Sequence, residues 1–138
     1  MSCQEYLSGK MPLSPAERMR VYYLSPRVVP PRLSGKDKQE IQALARENRR
    51  RIEEALRDLR KRPWRTLVIN DVSLYLQRGR AENLISSVEG ILTVVINGYY
   101  GRFFGASAFS RREREQMEIL MSRCDQIFFL PSLVPPSF

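Results

Sequence analysis

Two stretches decide the fold: Thr66-Leu67-Val68-Ile69 running into Asn70-Asp71, and Leu92-Thr93-Val94-Val95-Ile96 running into Asn97-Gly98. Each is a short apolar run that ends on polar turn residues, the pattern of a strand whose carboxyl end opens to solvent. A third run, Gln126 to Leu130, enters Pro131, and a fourth, Val21 to Leu24, stops at Ser25-Pro26. Helical patterns lie between the later runs, over Ala81 to Val88 and Arg111 to Cys124. Strands that are apolar throughout and alternate with helices predict an α/β domain, with a short, mostly parallel sheet of about four strands buried on both faces. Right-handed crossovers bring all strand carboxyl ends to one edge, where open sheets of this class bind ligands. Asn70, Asp71, Asn97, Tyr99 and Tyr100 are therefore expected together, beside the loop from Pro26 to Lys36.

The strongest periodicity runs from Asp37 to Lys61. Ile41, Leu44, Ala45, Ile52, Ala55, Leu56 and Leu59 share one helical stripe, on which Asn48 is the one polar residue, and Pro63 stops the helix. The opposite face carries Arg49, Arg50, Arg51, Arg57, Arg60, Lys61 and Arg62, with Glu47, Glu53, Glu54 and Asp58 among them. It reads either as a phosphate-tracking surface or as a solvated face of paired charges. Before this helix, residues 1–20 read as an amino-terminal arm. After the α/β domain of 21–131, the proline-bearing 132–138 read as an extended tail.

The 138 residues fit one domain, and 43% hydrophobic with 28% charged content is that of a globular chain. The opening residues lack the apolar stretch of a secretory signal and no run reaches membrane-spanning length, so the expectation is a cytoplasmic protein with no membrane partner. With no histidine and two cysteines, Cys3 and Cys124, a zinc site or a histidine-activated nucleophile has no ligands to draw on. The net charge of +8 favours anionic partners: nucleotides, phosphorylated metabolites or nucleic acid. Plentiful charge and six glutamines also match a thermophile-like composition.

Asp71, just past an apolar strand, stands where a phosphoryl-transfer site holds magnesium, although an Asn-Asp pair is equally turn and capping chemistry. No intact phosphate loop is present. Ser34-Gly35-Lys36 directly precedes the long helix, but Pro30 takes the first glycine's place and Asp37 that of the magnesium-binding hydroxyl; Ser8-Gly9-Lys10 is a second near miss. Lys36 is the candidate phosphate contact. The segment Asn97-Gly98-Tyr99-Tyr100-Gly101-Arg102-Phe103-Phe104-Gly105 joins flexible backbone, aromatics and an arginine at a strand exit. It reads as a base-stacking or anion-clamping loop, or as a cover for the sheet end or a subunit contact. Ser110 and Glu113 have the spacing of a capping box for the last helix.

The order of these features resembles the adenosylcobinamide kinase and adenosylcobinamide-phosphate guanylyltransferase family of cobalamin synthesis, a P-loop fold. The resemblance rests on Val21-Tyr22-Tyr23-Leu24-Ser25, on Glu40-Ile41 with Ala45 and Asn48, on Arg62-Pro63-Trp64-Arg65-Thr66, on Val72-Ser73-Leu74-Tyr75-Leu76, on Asn97, on the arginine-rich start of the last helix, and on Cys124-Asp125 before Ile127-Phe128-Phe129. It covers roughly Val21 to Pro131. It implies a nucleotide-binding fold that uses magnesium with ATP or GTP. Asn48 stands where the family's guanylyl-accepting histidine would be, and the amino-terminal strand with its phosphate loop is missing, so the family's full activity is not implied.

Two functional expectations follow. In the first, the chain binds a nucleotide or phosphorylated small molecule at the sheet's carboxyl edge, through Lys36, Asn97, Tyr99, Tyr100 and Arg102, with Asp71 on magnesium and little or no turnover. In the second it is a non-enzymatic basic module that takes nucleic acid on the Arg49 to Arg62 face, or a protein partner, a second copy included.

Overall fold

The computed structural model describes residues 22, 24–101 and 107–130. The expected arm 1–20, the tail 132–138, Arg102, and Val21 and Tyr23 of the expected first strand lie outside the described residues. The elements are α1 (Pro31–Ser34), α2 (Lys38–Leu59), β1 (Thr66–Ile69), α3 (Ser73–Leu76), α4 (Ala81–Ser87), β2 (Thr93–Ile96) and α5 (Ala108–Ser122).

Helix α2 begins where its sequence supplies a cap. Asp37 Oδ1 accepts from Glu40 N at 2.8 Å, and Glu40 Oε2 accepts from Lys36 N at 2.8 Å, so two of the amides left over at the helix start are satisfied. At the other end Trp64 Nε1 donates to Leu59 O at 2.9 Å, which ties the turn after the helix to its last carbonyls. The apolar stripe packs as its spacing predicts, and its single polar member explains itself. Asn48 is 1% exposed; its Oδ1 accepts from Val29 N at 2.9 Å and its Nδ2 donates to Val29 O at 2.7 Å. The amide thus completes both backbone bonds of an irregular segment that no strand pairs with, and so holds the chain before α1 against α2.

The crossover between the strands is the centre of the core. All four residues of α3 are buried. Leu76 and Tyr75, with Leu56 of α2, Leu84 of α4 and Met117 and Leu120 of α5, form one apolar cluster. Burial of such side chains stabilises by roughly 1.5–3 kcal/mol each. Polar contacts lock the layers: Tyr75 Oη donates to Glu53 Oε1 at 3.2 Å, Ala81 N to Gln116 Oε1 at 2.8 Å, and Arg112 Nη2 to the carbonyls of Arg78 and Gly79.

Strands β1 and β2 pair in parallel, Thr66 with Thr93 through Ile69 with Ile96. The architecture is α/β, with the order strand, helices, strand that parallel pairing demands. Two expectations are corrected. Among the described residues the sheet is covered on one face: Leu67, Ile69, Val94 and Ile96 turn inward, whereas Val68 and Val95 remain 50% and 53% exposed. And Gln126 to Leu130 does not join the ladder but runs exposed past the end of α5. The reason lies in that helix, whose main packing is against α3 and α4 rather than across the sheet, so the chain leaving it is not delivered to the β2 edge. Among the described residues two strands pair, and no helix is long and apolar enough to cross a membrane.

Replacing Asn48 by Ala is expected to cost about 1–3 kcal/mol, because it removes the partners of the part-buried N–H and C=O of Val29. Urea unfolding should show a lower midpoint at unchanged slope.

Candidate functional site

The carboxyl ends of the two strands are joined by a network that the amide of Asn97 organises. Asn97 Oδ1 accepts from Asp71 N at 2.6 Å, and its Nδ2 donates to Asn70 Oδ1 at 2.8 Å. Its backbone takes part too, since Val72 N donates to Asn97 O at 2.9 Å. Asp71 has φ 57°, a left-handed conformation that Asp tolerates better than most residues. That bend sends the chain from β1 into the buried turn of α3. Ser73 Oγ there accepts from Tyr99 N at 2.6 Å. Between them Gly98 passes so close to the core that a Cβ would lie 2.7 Å from Met117 Cε and 2.8 Å from Val72 Cγ1, so a larger residue would have to displace those side chains.

This network sets the walls of a narrow pocket lined by Arg32, Tyr99, Tyr100, Gly101, Ser110, Glu113 and Arg114. Arg32, from α1, donates to Ser110 Oγ at 2.9 Å and lies 4.8 Å above the Phe109 ring. Its Nη2 is 2.9 Å from Glu113 Oε2, but off the direction of a hydrogen bond, so among the described residues that buried oxygen has a charge partner and no hydrogen bond. Arg114 donates to Tyr100 Oη at 3.0 Å and to Gly101 O at 3.3 Å, with its guanidinium 4.2 Å over the Tyr100 ring. Tyr100 Oη donates in turn to Glu118 at 2.9 Å.

Burial holds the Glu113 carboxyl above its ordinary range, with Arg32 opposing, and the nearby Asp71 carboxylate adds to the rise. Asp71 is raised as well, again by burial, and hydrogen bonds from the side chain and backbone of Ser73 work against it. The two acids therefore sense each other at the strand ends. No group of three or more acidic or cysteine side chains able to hold a metal occurs among the described residues.

The structure thus brings Asn97, Asp71, Tyr99 and Tyr100 to one edge, as the strand reading predicted. Lys36 is exposed, its amide used in capping α2, and it does not line the pocket. Arg102 lies outside the described residues. Helix α5 starts at Ala108, earlier than expected, with Ser107 Oγ accepting from Ser110 N at 3.2 Å. Ser110 and Glu113 are not its capping box: Glu113 is buried against Arg32, which a local spacing rule cannot see. Arg32, Glu113 and Arg114 are the site residues the sequence did not disclose. The faint signal for them was the density of arginine at the start of α5.

Because both acids are raised, the folded chain holds more protons than the unfolded chain between the ordinary carboxylate range and the raised values. Their contribution to stability is then lost as pH rises through that window. Urea midpoints are expected to increase as pH falls through that window toward the ordinary carboxylate range, with the slope flattened in Glu113→Gln. Glu47, lowered to about 2 by Arg50, acts in the opposite sense only below the ordinary range, so the two effects separate. No protein-family model, curated protein or solved structure matched the chain.

Proposed function

We propose that this chain binds a nucleotide or related phosphorylated small molecule on the surface at the sheet's carboxyl edge, with an anionic oxygen at the mouth of the narrow pocket, whose volume of about 10 Å³ admits no ring. The observation that carries this reading is the convergence of two anchored guanidiniums, Arg32 and Arg114, with Tyr99 and Tyr100 at the strand exits. Each arginine is already oriented, by Ser110 and Phe109 in one case and by Tyr100 and Gly101 in the other, so little side-chain freedom remains to be lost on binding. Planar guanidiniums suit phosphate oxygens and the tyrosines suit a ring. Burial disfavours the charged form of the Glu113 carboxyl that faces Arg32.

Magnesium belongs to this reading as an ion carried by the phosphates, with Asp71 the residue to hold it. One or two carboxylates plus phosphate oxygens are the usual magnesium set, and Asp71 has lone pairs beyond those used by Ser73. Lys36 is an outer contact for a longer phosphate chain. A reduced relative of the cobinamide kinase family, with further strands beside β1 and β2, belongs to the same proposal. Its support is the order of sequence features from Val21 to Pro131. Asn48, an amide spent on Val29, supplies no nucleophile.

Thermal unfolding with millimolar ATP, GTP or inorganic phosphate, with and without magnesium, tests the reading, since a ligand that prefers the folded state must raise the melting temperature. Arg114→Ala should weaken binding about 10- to 100-fold, the loss of a charge-assisted pair. Asp71→Asn keeps a side chain that tolerates the left-handed backbone and should remove the magnesium-dependent part alone. An unchanged melting temperature with every ligand would discard the proposal.

A further inference from the structure

We propose a second binding site at the opposite, amino edge of the sheet, for single-stranded nucleic acid. It has two parts, a ring-sized cleft and a run of cations beside it. The cleft lies under the turn between α2 and β1 and has a volume of about 180 Å³, with Leu56, Leu59, Leu67 and Ile91 as its apolar lining. An apolar cavity of roughly 150 Å³ is enough to admit one benzene ring. Trp64 forms another wall, and its Nε1 bond to Leu59 O fixes the indole. The Tyr22 ring stacks on Trp64 with centroids 5.1 Å apart and planes 17° from parallel, and Arg62 lies 4.6 Å over Tyr22. One aromatic stack thus extends from the cleft toward solvent.

The charges confine the site to this end of α2. Midway along the helix Arg50 is bonded to Glu47 and Glu54, and Arg51 to Glu47 and the carbonyl of Arg27. Arg49 turns its Nε away from solvent. The broad arginine face is therefore largely neutralised there. Past it, Arg57, Arg60, Arg62 and Arg65 are exposed and form no ion pair among the described residues, and Lys61 stands 3.6 Å from Asp58. Arg60 and Arg62 line the cleft, against which Glu89 is the one acidic group. A free nucleotide needs one such cation and one ring slot. A row of cations longer than a mononucleotide, joined to a slot for a single ring, matches the alternation of phosphate and base along a strand. Among the described residues the polar side chains lining the cleft, Trp64 apart, are Arg60, Arg62, Ser87 and Glu89, so recognition is chiefly by stacking and charge and tolerates many sequences.

Trp64 is the sole tryptophan of the chain, so its fluorescence reports on the cleft directly. Titration of the full chain with roughly 12-nucleotide oligo(dT) or oligo(U) should quench it to saturation, with affinity falling steeply as salt rises. Labelled-oligonucleotide polarisation should show Trp64→Leu about 5- to 150-fold weaker and Trp64→Phe close to the parent. Arg60→Ala and Arg62→Ala should each lower the log–log salt slope by about 1. Ser87→Phe fills the cleft from α4 with the indole untouched and should weaken binding as Trp64→Leu does, while circular dichroism confirms that each variant is folded. Absence of binding at low salt overturns the proposal. So does salt-sensitive binding that is indifferent to both Trp64→Leu and Ser87→Phe, which would be a basic surface alone. Equal displacement of the oligonucleotide by an acidic tyrosine-bearing peptide would assign the site to a protein partner instead.

Discussion

The structure hangs on the bonds that Asn97 makes across the two strand ends. By holding Asp71 N it stabilises a left-handed residue immediately after β1, and that residue turns the chain into α3. Were the chain to continue extended, Leu74, Tyr75 and Leu76 would not enter the centre of the core. The same turn presents Ser73 Oγ to Tyr99 N, which fixes the exit of β2 and so one wall of the pocket. A small set of hydrogen bonds of about 1 kcal/mol each thereby decides where the hydrophobic energy is gained. Gly98 shows how tight the tolerance is, since the backbone passes within side-chain contact of Met117 and Val72.

The parts legible in the sequence are those with a period or a strong local signal. Helix α2 carries enough turns for its stripe to be unambiguous, and the runs Thr66–Ile69 and Thr93–Ile96 end on residues that terminate strands. The chemistry of Asn48 was half visible: one amide on an apolar stripe announces a buried partner, but only the fold shows that the partner is the backbone of Val29. Helices α1 and α3 have four residues each, too few to display a helical period. The run Gln126 to Leu130 has the composition of a strand, yet pairing depends on where α5 delivers it, which composition does not encode. Glu113 was misread for the complementary reason, because its partner Arg32 is far away along the chain and adjacent only in space.

Charge is distributed in a way that the net value of +8 conceals. In the middle of α2 the acids sit one helical turn from the arginines and bond them directly, so that stretch is nearly neutral and serves the stability of the helix. In the pocket one buried glutamate faces Arg32, and burial favours its neutral form. Arg114 is likewise paired with Glu118 at 3.4 Å, so among the described residues the excess positive charge is expressed chiefly in the Arg57 to Arg65 segment at the amino edge, while the carboxyl-edge pocket carries paired arginines. Both lie at ends of the same parallel pair, where strands stop and backbone direction changes.

A half-covered sheet with a proposed binding site at each edge also bears on how tightly the two ends are connected. β1 and β2 are short, and Ile69 and Ile96 on their inner face pack against the core cluster that α2, α3 and α5 share, with α3 in contact with α2 and α5 alike. A ligand that draws Arg114 and Tyr100 together acts on α5 directly and reaches α2 both through α1, whose Arg32 bonds Ser110 and faces Glu113, and through α3. A base entering the Trp64 cleft acts on Leu56 and Leu59 of α2, on the far side of that same turn. Coupling between sites requires an element with two alternative packings. A fully buried four-residue turn, locked by Ser73 at one end and by Tyr75 at its middle, has no room for a second arrangement at modest cost. That turn is therefore a stiff link between the two ends of the sheet and not a switch.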